Sequence, residues 1–384
     1  MIARSFNTDE AVMRFIKNAE KYGHKIDLVI VGYSQHINPI ATEKINEIVP
    51  LITIDVRRPY FCIEQFRHRG VSSAAAQTLL QCPVDVNYGA VPYGYDRTVV
   101  TIEAILQGAD ILFFVDNDVF PVALTMTSDG LSAEDIDFFG AHLKYLEKGS
   151  SITTGEYSGF NILPQASFDG MDDLLMGLHK SDVLEYWQGS STHRCLAVKP
   201  PEHKPSTCTK ILGGNVAIIL SAFSDLPPFF STSYTVDGEL FLGRGEDTVL
   251  SLSIAKSGIV CTDIGLYPLH DTYKDYPSEP DLRGNPKTQD RLYYACTGWV
   301  GRNPLYNYLC GDDVKSAREF QREHLERGLR ALAEYTLNPR YYRVLKNFNA
   351  SWDSLGRYVD EYNRVIEAWK EFTKRSYSNE SVNY

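Results

Sequence analysis

A five-residue apolar run, Ile111-Leu112-Phe113-Phe114-Val115, ends in Asp116-Asn117-Asp118. A strand apolar on both faces belongs in the buried middle of a parallel sheet, and ligands of open α/β sheets bind just outside the carboxyl ends of such strands. Two carboxylates one residue apart at that end suit a hard divalent cation. Mg²⁺ or Mn²⁺ is typically held by one or two carboxylates together with substrate phosphates. The competing interpretation is a solvated turn, because Asn and Asp favour turns in any context.

The flanking chain narrows the choice. Gly94-Tyr95-Asp96-Arg97-Thr98 precedes Val99 to Leu106, whose apolar positions recur at helical spacing until Gly108 stops them. Arg97 keeps its charge and offers a planar fork to phosphate or carboxylate. About a hundred residues further on, Gly213-Gly214 leads into the apolar Asn215 to Ile219. Gly243-Arg244-Gly245-Glu246-Asp247-Thr248 then opens a helix that Gly258 closes. Carboxylates at a helix N-terminus are stabilised as anions and can act as bases or as acceptors, although simple capping places them there as well. Next comes an apolar stretch from Ile259 that ends in Leu269-His270-Asp271. Imidazole is a common ligand for Mn²⁺, and Asp271 is a candidate to orient the ring.

This order of parts resembles the GT-A glycosyltransferases, family 2-like, with features similar to the mannosylglycerate synthase-like and glucosyl-phosphoglycerate synthase-like enzymes. The resemblance covers roughly residues 1–275 and is carried by Arg97, Asp116-Asn117-Asp118, Gly213-Gly214, Glu246-Asp247 and His270. Thr98 stands where those enzymes often have Asn. The resemblance implies a Rossmann-like, mostly parallel sheet flanked by helices, and transfer of a sugar from a UDP- or GDP-sugar to a hydroxyl acceptor. It implies a metal held by Asp118, Asp116 and His270, with Asp118 directly on it and Asp116 nearer the ribose or a metal-bound water. Arg97, Asn117 and the glycine pair would face the donor. Ser5, Asn7, Tyr33 and Ser34, near the ends of the first two strands, would touch the nucleotide. Asp247 or Glu246 is the base if the enzyme inverts; if it retains, the same pair positions sugar or acceptor.

The residues before this cluster alternate between strand and helix patterns: strand 2–6, helix 10–22, strand 25–32, helix 41–48 and strand 51–56. Such alternation predicts βαβ units in an α/β fold. A further helix is expected at 72–81. Residues 1–120 form the expected nucleotide-sugar half and 121–275 the acceptor half. Tyr186, Trp187 and Trp299 are candidates to stack on a sugar, with Tyr293-Tyr294 equally ambiguous, although aromatic residues are more often core. From 276 to 384 a mainly helical extension is expected, with charge-laced helices at 314–332 and 354–373 that pack on the core, cover the acceptor site or make a homo-oligomer contact.

A formal net charge of −11 speaks against a nucleic-acid surface and means that a donor diphosphate must be met by local cations. The seven cysteines are scattered and odd in number, without a Cys-x-x-Cys pair, so free thiols in a reducing cytoplasm are expected in place of a zinc or disulfide framework. No basic-then-apolar leader and no apolar run near the roughly 20 residues of a membrane helix is present. Two rival readings remain. A sugar-nucleotide pyrophosphorylase lacks support because no glycine-rich signature loop occurs near residue 10. A noncatalytic nucleotide- or sugar-binding protein on the same fold is the other.

Overall fold

A computed structural model describes residues 1–59, 61–84, 91–163, 168–180 and 196–378. The N-terminal strands β1 (Ile2–Phe6), β2 (Val29–Ile37) and β3 (Leu51–Asp55) form a parallel sheet in the order β1-β2-β3. Strand β4 (Ile111–Val115) belongs to a five-stranded sheet whose other members, from the far edge inward, are Ser206–Thr207, Cys261–Asp263, Ile152–Thr154 and Asn215–Ile219. A parallel bridge between Ile2 and Asp116 joins β1 to the end of β4 and makes the two sheets continuous.

The expected α/β architecture is therefore present, but the second sheet is mixed instead of mostly parallel. Asn215–Ile219 runs antiparallel to both β4 and Ile152–Thr154, so Asn215 lies opposite Val115. The reason is local: the glycine pair must arrive beside Asp116 at the site edge of the sheet, and a strand leaving that edge can only run back against β4.

Most of the expected elements form with shifted bounds. Strand β2 starts later than the pattern suggested and continues through Tyr33 and Ser34 to Ile37, pairing with β1 as far as Phe6. Helix α1 (Glu10–Lys21) buries Ala11, Val12, Phe15, Ile16 and Ala19 on one face. Helix α2 (Pro39–Asn46) opens with Asn38 accepting from Ile40 N at 3.0 Å and Pro39 at the first position, where a missing N–H costs nothing. The short helix α3 (Phe61–His68) is followed by α4 (Ser73–Leu80), whose cap Ser72 accepts from Ala75 N. Helix α5 (Tyr93–Leu106) begins six residues ahead of its apolar run, so Asp96 and Arg97 are helical and buried.

Helices dominate from residue 286 onward. Pro286–Cys310 is a 25-residue helix that the sequence did not announce, because its buried residues surround it on all sides and leave no stripe. Val314–Thr336, Arg343–Asp353 and Leu355–Ser378 follow. The last of these returns to the N-terminal half. Trp369 and Phe372 share one buried cluster with Phe66, Val99 and Phe114, and Glu371 accepts from both the backbone and the hydroxyl of Ser72. A second cluster gathers Leu292, Cys296, Trp299 and Val300 with the helices after 314. Trp299 is thus core. Tyr186 and Trp187 lie outside the described residues.

The cysteines hold one relationship their spacing hid. Cys208 and Cys261 face each other across neighbouring strand ends, with their sulfurs 3.5 Å apart. Among the described residues, no helix is long and apolar enough to cross a membrane.

Candidate functional site

Arg97 is the hub of the site. Its Nη2 donates to Asp116 Oδ1 at 3.0 Å, its Nε to Glu246 Oε1 at 3.0 Å and its Nη1 to the Gly213 carbonyl at 2.6 Å. The side chain is 3% exposed and lies over the rings of Phe114 and Phe229, 5.2 and 5.9 Å from their centroids. Burial works against the charge, but Asp116 and Glu246 more than offset it and raise the guanidinium pKa. With its fork already occupied, Arg97 fixes other groups in place, and the phosphate grip expected of it would require breaking these bonds.

The glycine pair is where a side chain has no room. A Cβ on Gly213 would come within 2.6 Å of the Arg97 guanidinium; on Gly214 it would meet Asp116 Oδ2 at 2.6 Å and Tyr157 Oη at 2.7 Å. Tyr157 accepts from Gly214 N at 2.9 Å. Burial, reinforced by the charge of Asp116, raises its pKa, so it keeps its proton. Behind the pair, the Asn215 amide donates to the carbonyls of Glu156 and Leu266. Its oxygen meets His142 Nε2 at 3.2 Å, and His142 Nδ1 meets Thr153 Oγ1 at 2.8 Å.

Glu246 and Asp247 open the helix Glu246–Ser257 after Gly245, whose φ of 95° is left-handed, and Gly258 closes it as expected. The two carboxylates divide the work. Glu246 is 8% exposed and paired with Arg97; burial first, then the Asp247 charge, raises its pKa against the pull of Arg97. Asp247 is half-buried, with Oδ2 accepting from Gly213 N at 3.3 Å and Oδ1 from Thr248 N at 2.7 Å.

Asp118 looks the other way. Its Oδ1 lies 3.4 Å from His270 Nε2 and its Oδ2 lies 3.7 Å from Arg291 Nη2. Burial would push the carboxyl up, but His270, with Arg291 and Lys274, outweighs it and holds the pKa below the usual range. The strand Leu269–His270 delivers the imidazole by pairing antiparallel with Val119–Phe120. Tyr157 packs on the same imidazole, 4.7 Å between ring centroids, and so connects the Asp118 side to the glycine pair. The oxygen beside His270 Nδ1 belongs to Thr272, at 3.3 Å. The Asp271 carboxylate expected there instead accepts from Tyr276 N.

Asp116 and Asp118 thus diverge: the strand ends at Val115 and the chain turns at Asn117 and Asp118, so the two carboxylates lose the common face that alternate residues of a continuing strand would share. Among the described residues no group of three His, Cys, Asp or Glu side chains is close enough to hold a metal. Asp118 and His270 make a two-residue donor set, which fits Mg²⁺ or Mn²⁺ when phosphate oxygens complete the shell. Asp116 is bound to Arg97 and would have to leave it to join them. Asn117 is half-buried and makes no hydrogen bond among the described residues.

The proposed nucleotide contacts separate into near and far. Ile2 is level with Asp116 and with Gly32, which puts Tyr33 and Ser34 just beyond the carboxylate. Tyr33 is half-buried in β2, and Ser34 is buried with no hydrogen-bond partner for its hydroxyl among the described residues. Ser5 and Asn7 lie three and five residues along β1, about 10 and 17 Å away at strand rise. Asn7 is exposed and binds Asn38 through its carbonyl. Both Asp96 carboxylate oxygens are also buried, with no hydrogen-bond partner among the described residues. Tyr157, Lys274 and Arg291 carry no motif that would have singled them out. Comparison of the chain with protein-family models, with curated proteins and with solved structures returns no match.

Proposed function

We propose that this protein is a metal-dependent glycosyltransferase of the GT-A kind, moving a sugar from a nucleoside diphosphate sugar to a hydroxyl acceptor. One observation carries the reading: five segments far apart in sequence converge on the Asp116–Asp118 end of β4. They bring Arg97, the glycine pair with Asp247, the Tyr157 phenol, and His270. Supporting it is the strand succession β3-β2-β1-β4, continued by an antiparallel strand, with the carboxylates at the carboxyl edge where α/β ligands bind.

Each residue has a distinct task in this mechanism. Asp118 and His270 would hold the divalent ion, which would supply charge neutralisation for the leaving diphosphate. Arg97 holds Asp116 in place on the donor side and ties Glu246, so that Asp247 is left to face the acceptor side. Tyr157 holds the glycine pair against the carboxylate, so the backbone there approaches the sugar without a side chain intervening. If the reaction inverts, Asp247 takes the acceptor proton; if it retains, Asp247 orients the sugar.

The test is nucleotide release from UDP- and GDP-sugars with and without Mn²⁺. Asp118→Ala is expected to abolish metal-dependent donor binding in calorimetry while the chain still melts cooperatively. His270→Ala weakens metal affinity less, because carboxylate and phosphates remain. Unchanged donor affinity in Asp118→Ala would remove the site, and binding without turnover for any sugar nucleotide would leave a noncatalytic binder.

A further inference from the structure

Several cations gather near Asp118. His270, Arg291 and Lys274 act on its carboxylate, and Arg14 lies near Glu10, Asp118 and Asp271. Arg14 is accounted for: it donates to the Val119 carbonyl at 3.2 Å and lies over the Phe120 ring. Arg291 lies over the Tyr273 ring, 5.9 Å from its centroid, but among the described residues neither its side chain nor that of Lys274 makes a hydrogen bond.

Arg291 reaches into the site from the Pro286–Cys310 helix, beyond the part of the chain that carries the motifs. It is one-third exposed, and its nearest carboxylate oxygen, at 3.7 Å, is outside hydrogen-bond range. Among the described residues no hydrogen bond forms to any of its side-chain nitrogens, and its Nε is buried. Leaving such a donor unsatisfied is costly, and a guanidinium fork is shaped for the paired oxygens of phosphate. Lys274 has an exposed side chain with no ion pair among the described residues. Its backbone has φ 60°, a left-handed conformation unusual for a residue with a side chain. The turn that imposes this is held at both ends by Asp271, whose carbonyl accepts from Lys274 N and whose carboxylate accepts from Tyr276 N.

We infer that Arg291 and Lys274 form an oxyanion subsite beside Asp118 that takes a phosphate group. Arg291 supplies the directional fork and Lys274 a point charge at the solvent side. Assigning that phosphate to the leaving diphosphate of a sugar nucleotide rests on the proposed transferase function; the subsite itself does not. The same chemistry would serve an acceptor that carries a phosphate, and binding measurements separate the two sources.

The experiment is calorimetric titration of the full chain with UDP, uridine, inorganic pyrophosphate and glycerol 3-phosphate, in wild type, Arg291→Gln, Arg291→Lys and Lys274→Gln. Arg291→Gln should weaken phosphate-bearing ligands about tenfold or more, as expected for a lost charge-assisted bond, and leave uridine unchanged. Arg291→Lys should retain part of the affinity. Lys274→Gln, at an exposed position that cannot disturb packing, should weaken binding a few-fold. Loss confined to UDP and pyrophosphate assigns the subsite to the donor; loss confined to glycerol 3-phosphate assigns it to the acceptor. If pyrophosphate binding depends on Arg291 while no sugar nucleotide is bound or turned over, the subsite stands and the transferase reading falls. Variants that bind every probe as wild type does, or a wild type that binds none of the phosphates, would overturn the inference.

Discussion

Gly214 shows how a single residue type is forced by its neighbours: Asp116 and Tyr157 occupy the space a methyl group would need. Asp247 poses the sharper question, because its hydrogen bond to Thr248 N lies in the first turn of its own helix, where a capping carboxylate would bind, while its bond to Gly213 N reaches a different segment. Asp247→Asn separates the roles. Asn caps as well as Asp, so stability should hardly change, while turnover should fall roughly 10²–10⁴-fold if the carboxylate is a base or positions the acceptor. Near-normal kcat in a folded variant would leave only the cap. Asp96 is a different case, since burial raises its carboxyl well above the ordinary range despite Arg57 and Arg97. The penalty for ionising it is absent below its unfolded pKa of about 4 and develops as pH rises toward the raised folded value. Asp96→Asn should therefore raise thermal stability at pH 7, by about 1 kcal/mol or more, with the gain vanishing near pH 4. An equal Tm at both pH values would show that the carboxylate is satisfied in solution.

At the scale of elements, β4, the Asn215–Ile219 strand and Ile152–Thr154 are locked behind the site by the His142–Thr153–Asn215 chain. Burial lowers His142 from 6.5 to about 4. A histidine whose folded pKa is depressed contributes stability that is fully present above its unfolded pKa and is lost as pH falls through the folded one. The window is thus pH 6.5 down to about 4, and the loss is roughly 3 kcal/mol. Replacing His142 by Gln should flatten the dependence of Tm on pH across that window. A variant with the wild-type slope would place the acid sensitivity in other groups. The strands also show what pattern alone conveys. β4 was legible because five consecutive apolar residues need two covered faces, whereas the direction of Asn215–Ile219 was not, since parallel and antiparallel burial demand the same residues.

For the whole molecule, the decisive contact is the return of Leu355–Ser378 to the N-terminal half. Trp369 is 1% exposed and donates from its indole to the Phe223 carbonyl at 3.0 Å. Trp369→Ala should cost about 3–5 kcal/mol, the range for truncating a buried large aromatic residue. Denaturant unfolding should show one shifted transition, because the helix shares its core with β4 and α5. Two transitions, with only the later one unshifted, would mean that the C-terminal helices unfold as a separate unit.

By itself, the sequence determined the α/β class, the strand that ends in two carboxylates, the helix starts at Ser72 and Gly245, and most of the residues that meet at the site. Those features are encoded by local rules, namely burial pattern, capping and the backbone freedom of glycine, which act over a few neighbouring residues. Tertiary structure alone decided that Arg97 is spent on Asp116, Glu246 and Gly213, that Asp116 and Asp118 face different partners, and that Tyr157, Lys274 and Arg291 join them. Such pairings depend on where distant segments cross in space. A charged side chain is written identically in the sequence whether its partner is a carboxylate of the chain or an anion from solution.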